Sequence, residues 1–244
     1  YSSEASARAM VEEWKSTIAQ EGDTYDERIT ITPQPQSSIT IMDQATGEIK
    51  ALVGGRGEKA SSLGLNRAYQ GSKRQPGSTF KILAAYAPAL DSCDKTLATT
   101  IDDEPYTLKS GQVLRNADKQ YRGSTTIRQA ITNSINVVAV KLSDEITQEL
   151  GYEYCQKFGI STLVKNKTIN GQVFDDSKSQ TLALGGITEG VYNYEMCAAY
   201  AAIANGGVYN KPTLYSKVVD HDGNVLLEGN GDSHTVIKDS TAYL

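Results

Sequence analysis

A chain of 244 residues, 39% hydrophobic and 22% charged, has the makeup of an ordinary globular protein with material for one sizeable core. Its formal net charge of −5 weighs against a nucleic-acid partner, which calls for a basic face. No apolar run approaches a membrane span, no signal-peptide pattern opens the chain, and neither Cys93, Cys155 and Cys197 nor His221 and His234 show metal-ligand spacing.

Residues 4–20 carry Ala7, Met10, Val11, Trp14 and Ile18 at helical spacing, which predicts an amphipathic helix with Trp14 as its packing anchor. The polar stretch 23–36, with Pro33 and Pro35, reads as a linker. A leading segment, 1–36, is therefore expected ahead of a main domain, 37–244. Alternation over 39–42 and 49–53 around Thr46-Gly47 predicts a β-hairpin. Arg56, Lys59, Arg67, Lys73, Arg74 and Lys81 then gather in one stretch. They read as a solvated rim, or as a positive mouth that draws a carboxylate and lowers the pKa of Lys81. Pro76-Gly77 leads into an apolar helix over 78–90, which Pro88 should end or kink. Residues 91–124 look polar and irregular, with turn chemistry at 102–105 and 116–118, and either wall a cleft or act as scaffold. Thr125 or Thr126 caps a short helix, 127–133, that delivers Ser134; a second helix should run from Asn136 to a stop at Gly151, with a further one over 152–158. Residues 161–180 show no clear pattern. A helix over 194–204 ends at Gly206-Gly207, and two strands flank His221-Asp-Gly223. His234 falls in a Gly/Asp/Ser loop, and Cys155 and Cys197 read as buried thiols. Strands and helices segregate rather than alternate, so the fold class is α+β.

The chemistry concentrates in Arg74-Gln-Pro-Gly-Ser-Thr-Phe-Lys81. Ser78 opens a helix, and Lys81 lies on the same face one turn along. A serine hydroxyl needs a base to take its proton, and a lysine serves only when desolvation or positive neighbours depress its pKa. Ser-x-x-Lys alone is weak, since Ser92-Cys-Asp-Lys95 repeats it in a polar stretch and the bland reading is a helix cap beside a surface lysine. Its company is what matters: Ser134-Ile-Asn136 sits between two helical patterns, where a short loop can present both side chains to a cleft.

Ser-x-x-Lys with a Ser-x-Asn triplet is the motif set of serine β-lactamases and penicillin-binding proteins. The flanking sequence resembles the transpeptidase domain of class A (bifunctional) penicillin-binding proteins: residues 35–43 and 46–55, Leu65-Asn-Arg-Ala68, 132–140, Leu182-Ala-Leu-Gly-Gly186, and 195–207 with Lys211-Pro212. The resemblance implies a serine DD-peptidase / β-lactamase-like fold, an antiparallel sheet flanked by helices plus an all-helical lobe. It implies a peptidoglycan D,D-transpeptidase with Ser78 as nucleophile, Lys81 as base, Ser134 as proton relay and Asn136 binding substrate or positioning Lys81. The Ser78 N–H would supply half of an oxyanion hole. Stem peptides and β-lactams are the implied partners, with no cofactor, metal or nucleic acid. An N-terminal membrane anchor and a glycosyltransferase domain would precede this stretch, on the extracytoplasmic face of a bacterial membrane. One departure is large: no Lys-Thr-Gly occurs, and Lys95-Thr-Leu and Lys167-Thr-Ile do not fit. The expectation is a domain lacking its C-terminal Lys-Thr-Gly part, which would be a further partner for this chain. The rivals are a β-lactamase, for which no convincing Glu-x-x-x-Asn candidate is found, a D-Ala-D-Ala carboxypeptidase, and a non-catalytic β-lactam-binding or scaffold module.

Overall fold

In the computed structural model, which describes residues 4–27, 29–30, 35–57, 62–69, 71–229 and 231–244, the chain divides into two units, Tyr1–Gln36 and Ser37–Leu244. The first unit carries helix α1 (Glu4–Ile18), braced by an Arg8–Glu4 ion pair at 2.8 Å and a Lys15–Glu12 pair at 2.8 Å. None of its residues is buried, and Trp14 is 61% exposed. The linker expected over 23–36 includes Arg28 and residues 31–34, which lie outside the described residues.

The second unit opens with the predicted hairpin, β1 (Ile39–Met42) antiparallel to β2 (Ile49–Val53). Its orientation is unexpected. Ile39, Ile41 and Val53 are exposed, whereas Thr40 donates its hydroxyl to Asn193 Oδ1 at 2.6 Å. Thr40 and Met42, which packs on the main core, form the face that meets the rest of the fold, while the two isoleucines point outward.

From Gly77 to Ser92 the backbone is helical in three gaits: a 3-10 turn at Gly77–Thr79, a wide π turn at Ile82–Tyr86, and α2 (Ala87–Ser92). Pro88, expected to end or kink this helix, lies inside it. A proline has no N–H for the carbonyl four residues back and its ring crowds that carbonyl, here Ala84; the π turn just upstream gives the room. Gly151 lies against the same carbonyl, where a Cβ would be 2.2 Å from the Ala84 oxygen. That contact explains a glycine in mid-helix, where the sequence suggested a helix end.

Short strands follow: β3 (Thr100–Asp103), β4 (Tyr106–Thr107), β5 (Val113–Leu114) and β6 (Gly123–Thr126). β3 pairs with β6 and β4 with β5, so the stretch expected to be irregular holds two nested antiparallel pairs. β4 and β5, of two residues each, are too short for a readable alternation, and β3 and β6 are almost wholly polar. Of the two caps anticipated for helix α3 (Ile127–Thr132), Thr126 is the one used, and it forms a capping box with Gln129. The two helices expected on either side of Gly151 are present as α4 (Asn136–Ile146) and α5 (Gln148–Lys157), but the break between them falls four residues earlier. The break is Thr147, at φ +76°, whose Oγ1 accepts the Leu150 N–H at 3.3 Å and restarts the helix.

β7 (Lys167–Ile169) and β8 (Gln172–Phe174) form a hairpin in the stretch that showed no pattern, followed by 3-10 turns at Asp176–Lys178 and Gln180–Leu184. The chain continues through α6 (Asn193–Ala204), β9 (Val208–Asn210), β10 (Lys217–Val219), β11 (Val225–Glu228), β12 (Ser233–Thr235) and α7 (Asp239–Tyr243). β10 pairs with β11 around the His221-Asp-Gly223 turn. β12 pairs with β9, which corrects the placement of His234: it sits in a strand, its Nε2 2.8 Å from the Lys157 carbonyl and its ring against Tyr209.

Phe80, Leu83, Tyr86, Ile127, Ile135, Leu142, Phe158, Ile160 and Leu182 are among the large fully buried side chains. Most sit on the helices and the turns between them, so helices supply the centre of an α+β fold and antiparallel pairs surround it. All three cysteines are free; Cys155 is buried as expected, but Cys197 is only half-buried, its thiol 3.7 Å from the Thr40 carbonyl. No described helix is long and apolar enough to cross a membrane.

Candidate active site

The backbone before Ser78 is held by segment 185–191. Arg74 and Val191 exchange both backbone hydrogen bonds, at 3.0 and 2.9 Å, and the Gln75 amide takes the Ile187 N–H at 2.9 Å while donating to the Ile187 carbonyl. Gly185, at φ +73°, lies so close to Gly77 that a Cβ would meet its carbonyl oxygen at 2.2 Å. Ser78 itself sits exposed in the 3-10 turn, and the Tyr200 hydroxyl holds the next carbonyl, that of Thr79, at 2.5 Å.

One turn on, Lys81 is 2% exposed. Its Nζ donates to the Ser134 carbonyl at 2.6 Å, Ser134 Oγ at 3.0 Å and Asn136 Oδ1 at 2.7 Å. An ammonium has three protons to donate, and here three oxygens converge on it, all neutral. Burial without a counter-charge disfavours the ammonium and lowers the pKa from its ordinary 10.5 to about 8.

Ser134 reaches this place through an unusual backbone. It is at φ +51°, left-handed, just past the end of α3. The Ile135 N–H returns to the Ala130 carbonyl at 2.9 Å and the Ser134 N–H to Ile131 at 3.1 Å. This is the helix-ending Schellman pattern, whose left-handed position usually takes glycine. A serine there accepts strain and in return turns both its carbonyl and its hydroxyl toward Lys81. Asn136 is the first residue of α4; its Nδ2 donates to the Arg115 carbonyl at 2.9 Å, which leaves Oδ1 for the lysine.

Lys81, Ser134 and Asn136 are thus brought together, with Ser78 one helical turn from the lysine; its hydroxyl is bonded to none of the three. The basic cluster contributes nothing to the lowered pKa of Lys81, whose cause is desolvation. Lys73 pairs instead with Glu189, and Lys59 lies outside the described residues. The second Ser-x-x-Lys is structural: Ser92 Oγ donates to the Pro88 carbonyl at 3.0 Å and Lys95 pairs with Glu145 at 2.7 Å. Sequence reasoning passed over Gln75 and Arg115. Gln75 sits inside the main motif, a signal that was available. Arg115 acts through its backbone, which leaves none.

Residues 37–243 match the family model described as the penicillin binding protein transpeptidase domain. Penicillin-binding protein 1A of Clostridium acetobutylicum is 39% identical over 221 residues, 86% of this chain and 26% of its own length. Penicillin-binding protein 1A/1B of Bacillus subtilis is 28% identical over 226 residues, 92% of this chain and 23% of its own. The chain therefore spans about a quarter of such relatives. Among solved structures, penicillin-binding protein 1A from Haemophilus influenzae superposes with a TM-score of 0.65 at 29% identity, covering 82% of this chain and 28% of that one. PonA1 of Mycobacterium tuberculosis in complex with penicillin V shares the fold, with a TM-score of 0.69 at 22% identity over 96% of this chain and 58% of that one. The fold is that of serine DD-peptidases and β-lactamases, and the chain belongs to the penicillin-binding protein transpeptidase family.

Proposed function

We propose that residues 37–244 carry the acyl-transfer centre of a peptidoglycan D,D-transpeptidase, acting on stem peptides at the extracytoplasmic face of a bacterial membrane. The observation that carries this reading is the Lys81 amine, buried among three neutral oxygens with no carboxylate bound to it. Such a lysine loses its proton near neutral pH and serves as a base. Ser78 Oγ attacks the penultimate D-alanine carbonyl as its proton passes to Lys81. The tetrahedral intermediate collapses to a Ser78 ester, and the terminal D-alanine leaves as its amine takes a proton relayed through Ser134 Oγ. An amine from a neighbouring strand then displaces Ser78, forming the cross-link and returning the proton. Asn136 holds the lysine through Oδ1. A β-lactam acylates Ser78 by the same first step, its ring nitrogen taking the leaving-group role.

Incubation with a penicillin, followed by the intact mass of the denatured protein, tests the nucleophile. The expected result is one drug mass added per chain, mapping to Ser78 and lost in Ser78→Ala. An adduct that survives Ser78→Ala, or none on folded wild type, overturns the assignment. A second reading is a β-lactam-binding module that does not turn over; the Ser78 hydroxyl, bonded to none of Lys81, Ser134 and Asn136, favours it. That reading predicts the adduct without transfer of a stem peptide to an amine. A carboxypeptidase would pass the acyl group to water even with the amine present.

A further inference from the structure

Helix α4 begins at Asn136, and the residue before it, Ile135, has no side-chain oxygen to cap the free N–H groups. The cap comes from the loop between β5 and β6. Asn116, 4% exposed, accepts the Asn136 N–H at 3.0 Å and the Val137 N–H at 3.2 Å on its Oδ1. Its Nδ2 donates to Asp103 Oδ1 at 2.7 Å and to the Gln120 carbonyl at 2.8 Å. The adjacent Arg115 carbonyl takes the Asn136 side-chain amide, as described above. One loop therefore grips both the backbone and the side chain of Asn136.

An asparagine amide can turn either way round, so something must set its sense. Asp103 does this. It is 1% exposed, and its Oδ2 receives the Arg122 N–H at 3.1 Å with the Arg122 guanidinium 3.8 Å away. An ionised carboxylate only accepts hydrogen bonds, so Asp103 fixes Nδ2 toward itself and leaves Oδ1 for the start of α4. A flipped Asn116 would point NH₂ at two N–H groups.

We infer that Asn116, oriented by Asp103, is a positioning residue of the Lys81 site: it fixes the first turn of α4 so that Asn136 and Ser134 converge on the lysine and keep water from it. The kinetic part of this inference rests on the function proposed above; the titration part does not.

The test follows Lys81 by NMR in protein labelled with ¹³C at lysine Cε, the signal being assigned by its loss in Lys81→Met. In Asn116→Ala water enters around Lys81, its midpoint rises by about one pH unit, and penicillin acylation at neutral pH slows about tenfold. Asp103→Leu leaves Asn116 in place but frees its amide to turn, and the midpoint again rises. Asp103→Asn keeps an acceptor for Asn116 Nδ2 while turning its own NH₂ toward the Arg122 N–H, and so restores both values in part. The sign separates positioning from charge, because losing a nearby carboxylate by itself lowers a lysine pKa, equally in Asp103→Leu and Asp103→Asn. A fall in thermal stability in Asn116→Ala and Asp103→Leu, with the Lys81 midpoint at its wild-type value, overturns the inference, as does an equal downward shift in the two Asp103 variants. If penicillin never acylates the wild type while the midpoints move as stated, the positioning role stands and the transpeptidase reading falls.

Discussion

Two lysines of one short segment, Lys73 and Lys81, sit in opposite electrostatic regimes. Lys73 lies near the surface, paired with Glu189, and hydrogen bonding to that carboxylate raises its pKa. Glu189 is held below its usual range by Lys167 and Lys73 together. Lys81 makes three good hydrogen bonds, yet its pKa falls to about 8, because every partner is neutral and the amine is buried. Hydrogen bonding alone does not decide whether a lysine is an acid or a base. The formal charge of the partner and access to water do. Lys73 is built to stay charged, and Lys81 is built to give its proton up.

The largest way to break this contrast is to remove the base. Lys81→Met is expected to slow penicillin acylation of Ser78 by about 10²–10⁴-fold, the usual worth of a positioned proton acceptor. Lys81→Arg should not rescue it, because a guanidinium does not deprotonate in this range. Stopped-flow acylation kinetics check both. A sharper test converts one regime into the other: Asn136→Asp gives Lys81 the kind of partner that Glu189 gives Lys73. Its titration should move upward, and acylation at neutral pH should fall about tenfold for each pH unit moved.

Ser134→Gly separates structure from chemistry. Glycine suits the left-handed position at φ +51°, so stability should hold or rise by about 0–1 kcal/mol, while acylation falls with the loss of Oγ. Thermal denaturation beside kinetics shows whether the two move apart. The lowered pKa also carries a stability signature. Between pH 8 and 10.5 the unfolded chain binds more protons at this lysine than the folded one, so stability rises with pH across that window. Urea titrations at several pH values should show this rise in wild type and its loss in Lys81→Met. The smallest effect belongs to the surface: Glu189→Gln should change stability by about 0–1 kcal/mol and leave acylation as it was.

Much of this architecture is legible in the sequence where local rules apply. The Thr126–Gln129 capping box, the turn at Thr46-Gly47 and the hairpin around His221-Asp-Gly223 follow from residue type and spacing alone. The site motif is legible too, since Ser78, Lys81, Ser134 and Asn136 stand in a recognisable pattern. What escapes is set by distant partners. Pro88 inside a helix depends on the π turn before it and on Gly151 arriving against Ala84. The break at Thr147 rests on a backbone angle that no pattern announces. Asn116 reads as a turn residue until Asp103 and the start of α4 are placed around it. The low pKa of Lys81 was a fair expectation, with desolvation and basic neighbours both open as its cause; the structure gives burial as that cause.

The central claim is that Lys81 loses its proton near neutral pH because it is buried and uncompensated, and that this neutral amine drives Ser78. Measuring the Lys81 titration midpoint in wild type, beside the pH dependence of penicillin acylation, tests it most directly. A midpoint near 8, coinciding with the pH at which acylation climbs to its plateau, is the predicted result. A midpoint at the ordinary 10.5, or an acylation rate indifferent to the state of Lys81, would contradict it.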